Sequence, residues 1–563
     1  MRGLGSYAYI LGPCSLAVCL YADAQNLPNS IQPGQIEKQF QRPSELSTIP
    51  EVEVPEVSTF AIPPEIGDVK FTIRAINLVN TKNELSTIYS SDEILPFYAE
   101  YKDKEVSLRL VFEIADALTA KYRNDGYVLS QVVVPPQRIK DGVVVLMAVE
   151  GSVSDVEVIG KSKRIDKSHL SPYFDRIKRS VPLHARELER SLLLINDLPG
   201  VTAQATIAPS SAQGQSSISV GVTRPIISGS LGANNRGSEP LGPWRAEADF
   251  SIYALVHAFD VLNARYVTGA DTQELRFLSF RYNRPIGVNG LSIGVSVDST
   301  RANPGLGANF AKVETASKTA TLAVSYPFVR SRSLNIFVRG NFSYHNGQTD
   351  ANDIILSEDR IRALRLGLSL DRTDKLRGIV LFDVELSQGL DILGARETGS
   401  PNLSRQSGRS DFTKVNFSLS RLQSLSSRWS LLVSSTAQYA FTNLLSPEEF
   451  AFGGEQFGRA YDASELVGDS GAALKLELRH DLTGNADIQA ASLYSFYDIG
   501  TVWRNDPIDE KANESAASFG IGSRFSFRRG VTGYLEITKP LTHLVGAEKN
   551  KNARVFGGIR VSF

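Results

Sequence analysis

The chain has 563 residues, 42% hydrophobic and 21% charged, enough to bury cores in more than one domain. Its 60 Lys and Arg against 61 Asp and Glu leave a net charge of −1, which removes the basic surface that nucleic-acid binding needs. A mean hydropathy of −0.12 excludes a bundle of membrane helices, and 44 Gly and 27 Phe beside 2 Met point to a β-rich fold.

Arg2, the apolar run Tyr7 to Tyr21 and the small-x-small pattern Ala22-Asp23-Ala24 predict a signal peptide over 1–24. Cys14 and Cys19 both fall inside it, so the mature chain is expected to hold no disulfide and no thiolate site. Residues 25–69 form an arm. Ile36 and Phe40 are four apart and share one face of a short predicted helix. Pro43, Pro50, Pro55, Pro63 and Pro64, interspersed with Glu and lacking Lys or Arg, predict an extended linker behind it. Composition alone favours reading this arm as an N-terminal tail.

Residues 70–151 read strand, helix, helix, strand, strand. Phe71 to Val79 is a β run, and Ser91-Asp92-Glu93 opens a short helix. From Glu105 the apolar residues Leu110, Val111, Ile114, Leu118 and Tyr122 recur at helical spacing, and Gly126 sits at the expected left-handed cap. Val128 to Val134 and Val143 to Val149 are predicted strands around Pro135-Pro136 and the turn Asp141-Gly142. Residues 152–223 repeat the order: Val153–Ile159, helices over Asp166–Phe174 and Glu187–Leu194, then Val201–Ala208 and Ser216–Val222. This pattern makes two small tandem α+β domains.

From residue 224 to 563 two-residue alternation takes over. Arg245, Glu247 and Asp249 alternate with Ala246, Ala248 and Phe250; Leu364, Leu366 and Leu368 alternate with Arg365, Gly367 and Ser369. Leu474, Leu476 and Leu478 alternate with Lys475, Glu477 and Arg479. A soluble sandwich also alternates, but its strands are shorter and its inner face meets another apolar face. Charges recurring on one face over this length favour a transmembrane barrel with a wet lumen. About 21 residues per strand plus loop fits 16 strands.

Tyr122-x-x-x-Gly126-Tyr127-Val128, Pro136-Gln137, Asp141-Gly142 and Glu150-Gly151 resemble the first POTRA domain of the two-partner secretion transporters, the haemolysin/haemagglutinin secretion-activation type. Leu192-Leu193-Leu194 with Asn196-Asp197-Leu198-Pro199-Gly200-Val201 resembles the second POTRA domain, and Asn234-Asn235-Arg236-Gly237 the start of the barrel. Gly453 to Asp469, including Gly454 and Gly468, resembles the family's inward-folding sixth loop, with Arg459-Ala460-Tyr461 at its tip. Ala460 stands where the family has Gly, so the tip is either of ordinary backbone conformation or strained. Phe496-Tyr497-Asp498-Ile499-Gly500 is similar to the wall motif, and Phe563 to the terminal assembly signal.

The resemblance implies a mainly β fold, a 16-stranded antiparallel transmembrane β-barrel after two α+β POTRA domains, in the Gram-negative outer membrane with the POTRA domains in the periplasm. It implies that Arg459 pairs with Asp498 as a loop lock, although an ion pair serving only barrel stability accounts for the same residues. It implies that the helix of Ile36 and Phe40 plugs the pore. The expected partners are a secreted exoprotein (a large β-helical adhesin or cytolysin), outer-membrane lipid, the barrel assembly machinery and periplasmic chaperones. No cofactor, metal ligand or catalytic residue is expected: Gly468-Asp469-Ser470-Gly471 imitates a protease motif without the rest of a triad, and the six His are scattered. The alternatives are an insertase of the same superfamily and a passive porin.

Overall fold

The computed structural model describes residues 28–40, 69–159, 167–210, 214–305, 312–482, 488–507, 511–528 and 530–563. The signal peptide and the Pro-rich linker lie outside the described residues.

The two small domains share one topology. In the first, Ala75–Val79 pairs in parallel with Val143–Val149, whose other edge pairs antiparallel with Gln131–Val133. In the second, Ser152–Ile159, Gln215–Thr223 and Thr202–Pro209 repeat that order and sense. Helix Leu108–Asn124 buries Val111, Ile114, Leu118 and Tyr122 on the first sheet. Helices Lys167–Arg179 and Ala185–Asn196 cover the second. Two local expectations are corrected. Glu105–Ser107 is not helical: it pairs with Lys70–Thr72 in a separate two-stranded ribbon, so the helix starts at Leu108. The run from Phe71 to Val79 breaks at Ile73, whose side chain is fully buried. Both changes come from tertiary pairing that local periodicity does not report.

The POTRA-like motif residues turn out to build joints. Gly126 has φ +99°, and a Cβ there would stand 2.6 Å from the His184 ring of the second domain. Tyr127 packs edge-on to that ring at 5.3 Å, and Ala185 N–H donates to Gly126 O at 2.8 Å. Just beyond Pro136, the Gln137 amide bonds both Val145 O (2.7 Å) and Val145 N (2.8 Å), standing in for the backbone of a strand that Pro135-Pro136 interrupts. Asp197 forms a two-pronged pair with Arg330 of the barrel at 2.7 and 2.8 Å. Gly200, in the turn after Pro199, lies against Tyr253.

Sixteen further strands, from Ile227–Asn234 to Arg554–Ser562, form one closed antiparallel barrel. Closure leaves no unpaired edge in the bilayer. The alternation sorts as the sequence predicts: Leu364, Leu366 and Leu368 are exposed on the outer wall, while Arg245 is buried inside. Phe563 continues the last seam, exchanging two 2.9 Å backbone hydrogen bonds with Gly229 and packing on Phe250. The second small domain sits on the short-turn end of the barrel. Besides Asp197–Arg330, Tyr173 donates to Gly287 O at 3.2 Å and Arg190 to Pro327 O at 3.2 Å.

Asp197→Ala leaves Arg330, only 6% exposed, without its carboxylate. Loss of this charge-assisted pair is expected to weaken docking by about 1.5–3 kcal/mol. Hydrogen exchange checks it: faster exchange in turns 287–290 and 331–333 with an unchanged barrel is the expected result.

Candidate functional site

The long connection between strands Trp429–Ala440 and Ser470–Leu482 does not stay outside the barrel. Phe450–Phe452 and Leu466–Gly468 form a short antiparallel ribbon that carries the tip inward. Wall residue Gly500 admits this ribbon, since a Cβ there would lie 2.1 Å from the Phe452 ring. Gly453, Gly454 and Gly458 all take positive φ around the tip. Ala460 does not, so its backbone is ordinary and Gly458 supplies the left-handed residue instead.

Arg459 and Asp498 meet. Nε and Nη2 of Arg459 each lie 3.0 Å from an Asp498 oxygen, and the Gly458 and Arg459 backbone N–H groups add bonds of 3.2 and 3.1 Å. Phe496, in the same strand as Asp498, lies under the guanidinium at 3.4 Å. Tyr461 donates to Ala517 O at 2.9 Å and packs with Phe452, Leu466 and Val502.

The pair is part of a larger network. Arg459 Nη1 reaches Glu477 at 2.5 Å and lies 3.9 Å from Glu536. Glu477 also accepts from Arg479 and Arg524, each at 2.7 Å. Glu536 pairs with Arg236 and accepts from Tyr494 at 2.6 Å. Arg236 also donates to Arg459 O at 2.9 Å, and Arg554 holds Ala460 O (3.0 Å) and Asp462 (2.7 Å). Arg459, Asp498, Glu477 and Glu536 are all nearly inaccessible. Sequence reasoning missed Glu477, Glu536 and Arg524 as partners. Glu477 was visible on the charged face of the Leu474–Leu478 alternation, but strand register decides whom it meets.

A second cluster lies at the mouth. Asp469, fully buried, accepts from Arg405 at 2.6 and 3.2 Å, from Leu444 N at 2.7 Å and from Asn505 N at 2.9 Å. It thereby ties three outer loops together. Glu448 pairs with Arg365 and Lys414, each at 2.7 Å.

Ile36 lies in a helix, Pro33–Gln39, inside the barrel and Phe40 caps its end, so the reading as a tail is corrected. With Ile31 they pack on Val267, Leu275, Phe277, Ala302, Val313 and Ala351, all at the loop end of their strands. The barrel therefore holds this helix at the mouth opposite the small domains. Gln35 donates to Ser446 O at 2.6 Å and accepts from Ser464 at 3.1 Å, and Lys38 donates to Glu449 O. A Cβ on Gly34 would stand 2.4 Å from Pro447. Helix and inward loop are thus in direct contact.

A closed barrel preceded by two small α+β domains, with a loop folded into its lumen and a helix in its outer mouth, has the architecture of an outer-membrane transport protein. A family profile described as haemolysin secretion/activation protein ShlB/FhaC/HecB matches residues 193–525, and a ShlB-type POTRA domain profile matches residues 71–151. The heme/hemopexin transporter protein HuxB of Haemophilus influenzae is 22% identical over 495 residues, 86% of each chain. The outer membrane transporter CdiB of Dickeya dadantii is 22% identical over 437 residues, 75% of each. The structure of CdiB from Escherichia coli has the same fold, with a TM-score of 0.72 at 18% identity over 99% of this chain and 100% of that one. The chain belongs to the haemolysin secretion/activation protein family, the outer-membrane transporters of two-partner secretion.

Arg459→Ala leaves the buried Asp498 carboxylate without its guanidinium and takes one cation from Glu477 and Glu536, whereas Asp498→Asn leaves Arg459 its bond to Glu477. The first substitution is expected to cost about 3–5 kcal/mol and the second distinctly less. The unfolding midpoints of the purified barrels check the order.

Proposed function

We propose that the structure is the resting state of the exporter, held shut by two coupled elements. The helix Pro33–Gln39 occludes the outer mouth, and the Arg459 network holds the inward loop. The observation that carries this reading is the set of bonds from Gln35 and Lys38 to Ser446, Glu449 and Ser464 of that loop. An unfolded exoprotein engages the POTRA domains in the periplasm, where exposed strand edges accept an extended chain by β-augmentation. The helix then leaves and the chain passes through the lumen. The cargo class we favour is a large β-helical adhesin or cytolysin, whose folding outside supplies the driving force. Phe563 serves as the signal to the barrel assembly machinery, and periplasmic chaperones deliver both barrel and cargo.

In this mechanism the chain's residues bind, order and release; none performs covalent chemistry. A bidentate Arg–carboxylate pair suits that task because it fixes orientation as well as distance. The network has to be strong enough to order a long loop and local enough to be left behind when the loop moves.

Deleting residues 25–60 is expected to raise single-channel conductance in planar bilayers while the barrel still folds. Unchanged conductance would remove the helix from the gating mechanism. Arg459→Ala and Asp498→Ala are expected to lower cargo in the medium with the transporter still present in the outer membrane. Normal secretion by both would refute the role assigned to the pair.

A further inference from the structure

The outer wall carries a localised cationic patch just beyond its apolar belt. Thr319 bonds Glu37 of the lumenal helix, so its side chain points inward and those of Lys318 and Ala320 point outward. On strand Val313–Arg330 the outward residues Leu322, Val324 and Phe328 are lipid-facing, and Lys318 stands above them. The neighbouring strands repeat the step. Val295 and Val297 lie below Arg301, Leu278 and Phe280 below Arg276, and Leu364 and Leu366 below Arg360 and Arg362. This level is at the loop end of the barrel, opposite the POTRA domains, at the surface of the outer leaflet.

Cross-strand register brings the charges together. Arg276 is directly opposite Arg301, and Lys318 and Arg360 flank Asn346. Like charges facing each other across a sheet are destabilising unless an anion lies between them. Among the described residues the carboxylate in the row, Glu358, is already shared by Arg360 (2.6 Å) and Arg396. Farther out, Glu314 pairs with Lys312 at 2.6 Å, and Asp350 accepts from Gln348 at 2.8 Å. A cavity of about 290 Å³ opens here, lined by Lys318, Tyr344, Asn346, Arg360 and Arg362. Its base is built: Arg362 is 1% exposed, stacks on Tyr344 at 3.4 Å and bonds His345 O and Leu393 O. Elsewhere around the rim the outward residues include Tyr439, Phe441 and Trp503.

We propose that this patch binds the phosphorylated headgroup of an outer-leaflet glycolipid, with its acyl chains lying on the apolar belt below. Anion and hydrocarbon are required in one molecule, because the cations and the apolar rows adjoin on the same strands. Lys318, Arg301 and Arg276 reach the phosphates, Asn346 and Gln348 offer amides to sugar hydroxyls, and Arg362 holds loop 390–396 as a wall of the site.

The test uses the full-length protein in detergent, with binding read by native mass spectrometry. The probes are a hexa-acyl lipid A bisphosphate, the same lipid without phosphates, and inorganic phosphate. The bisphosphate is expected to bind at least about tenfold more tightly than either control, and Lys318→Gln with Arg360→Gln to lose about tenfold or more. Arg276→Gln with Arg301→Gln breaks no ion pair among the described residues and is expected to lose a similar factor even if Arg360→Gln disturbs folding. Lys539→Gln, at the rim on the other side of the barrel, is expected to bind as the unmodified protein does. Undiminished binding by both double variants, equal binding of the phosphate-free lipid, or equal binding of inorganic phosphate would each overturn the proposal.

Discussion

The lumen of this transporter is organised around one guanidinium. Arg459 is carried inward on a short ribbon and enters a site that holds three carboxylates, Asp498, Glu477 and Glu536. Those acids stand close together on the inner wall, and without a cation their mutual repulsion and desolvation would be severe. Arg524, Arg479 and Arg236 share the neutralisation from the other side. The loop is therefore not merely tethered: its arginine completes a charge balance that the wall lacks without it.

This arrangement links the ends of the molecule. The loop that bears Arg459 also carries Ser446, Glu449 and Ser464, which hold the helix at the outer mouth. At the other end, Asp197 and Arg330 join the second small domain to the wall, and His184 seats against Gly126 and Tyr127 at the joint between the two small domains. Each joint mixes polar bonds with apolar contacts: Leu129 of the first domain and Phe259 and Val288 of the barrel turns pack on the core of the second. The outer wall, by contrast, meets lipid through apolar rows such as Leu364, Leu366 and Leu368.

Several motif residues change meaning once their surroundings are visible. Gln137, carried from the POTRA pattern, is a backbone substitute beside Val145. Gly500 is the space into which Phe452 fits. Asp469, noticed as the end of the inward-folding loop motif and in a protease-like string, is a buried tie among three loops. Arg236, noticed only as a start-of-barrel marker, supports both Glu536 and the backbone of the loop tip. None of these roles follows from the residue type, because each depends on a partner that only the fold brings near, from 8 positions away for Gln137 to 223 for Arg236 and the loop tip.

The amino-acid sequence by itself determined the repeated small domains, the barrel and its inside–outside assignment. These rest on local periodicity: a residue two places along a strand faces the same way whatever the rest of the chain does. The Arg459–Asp498 pairing was legible only by resemblance, and the helix of Ile36 and Phe40 read by composition as a tail. The resemblance placed this helix in the pore; tertiary structure decided which wall residues hold it, that Glu477 and Glu536 surround Arg459, and that Glu105–Ser107 is a strand. Those outcomes depend on strand register and on where a loop enters the lumen. Both are set by contacts distant in sequence, which a local pattern does not encode.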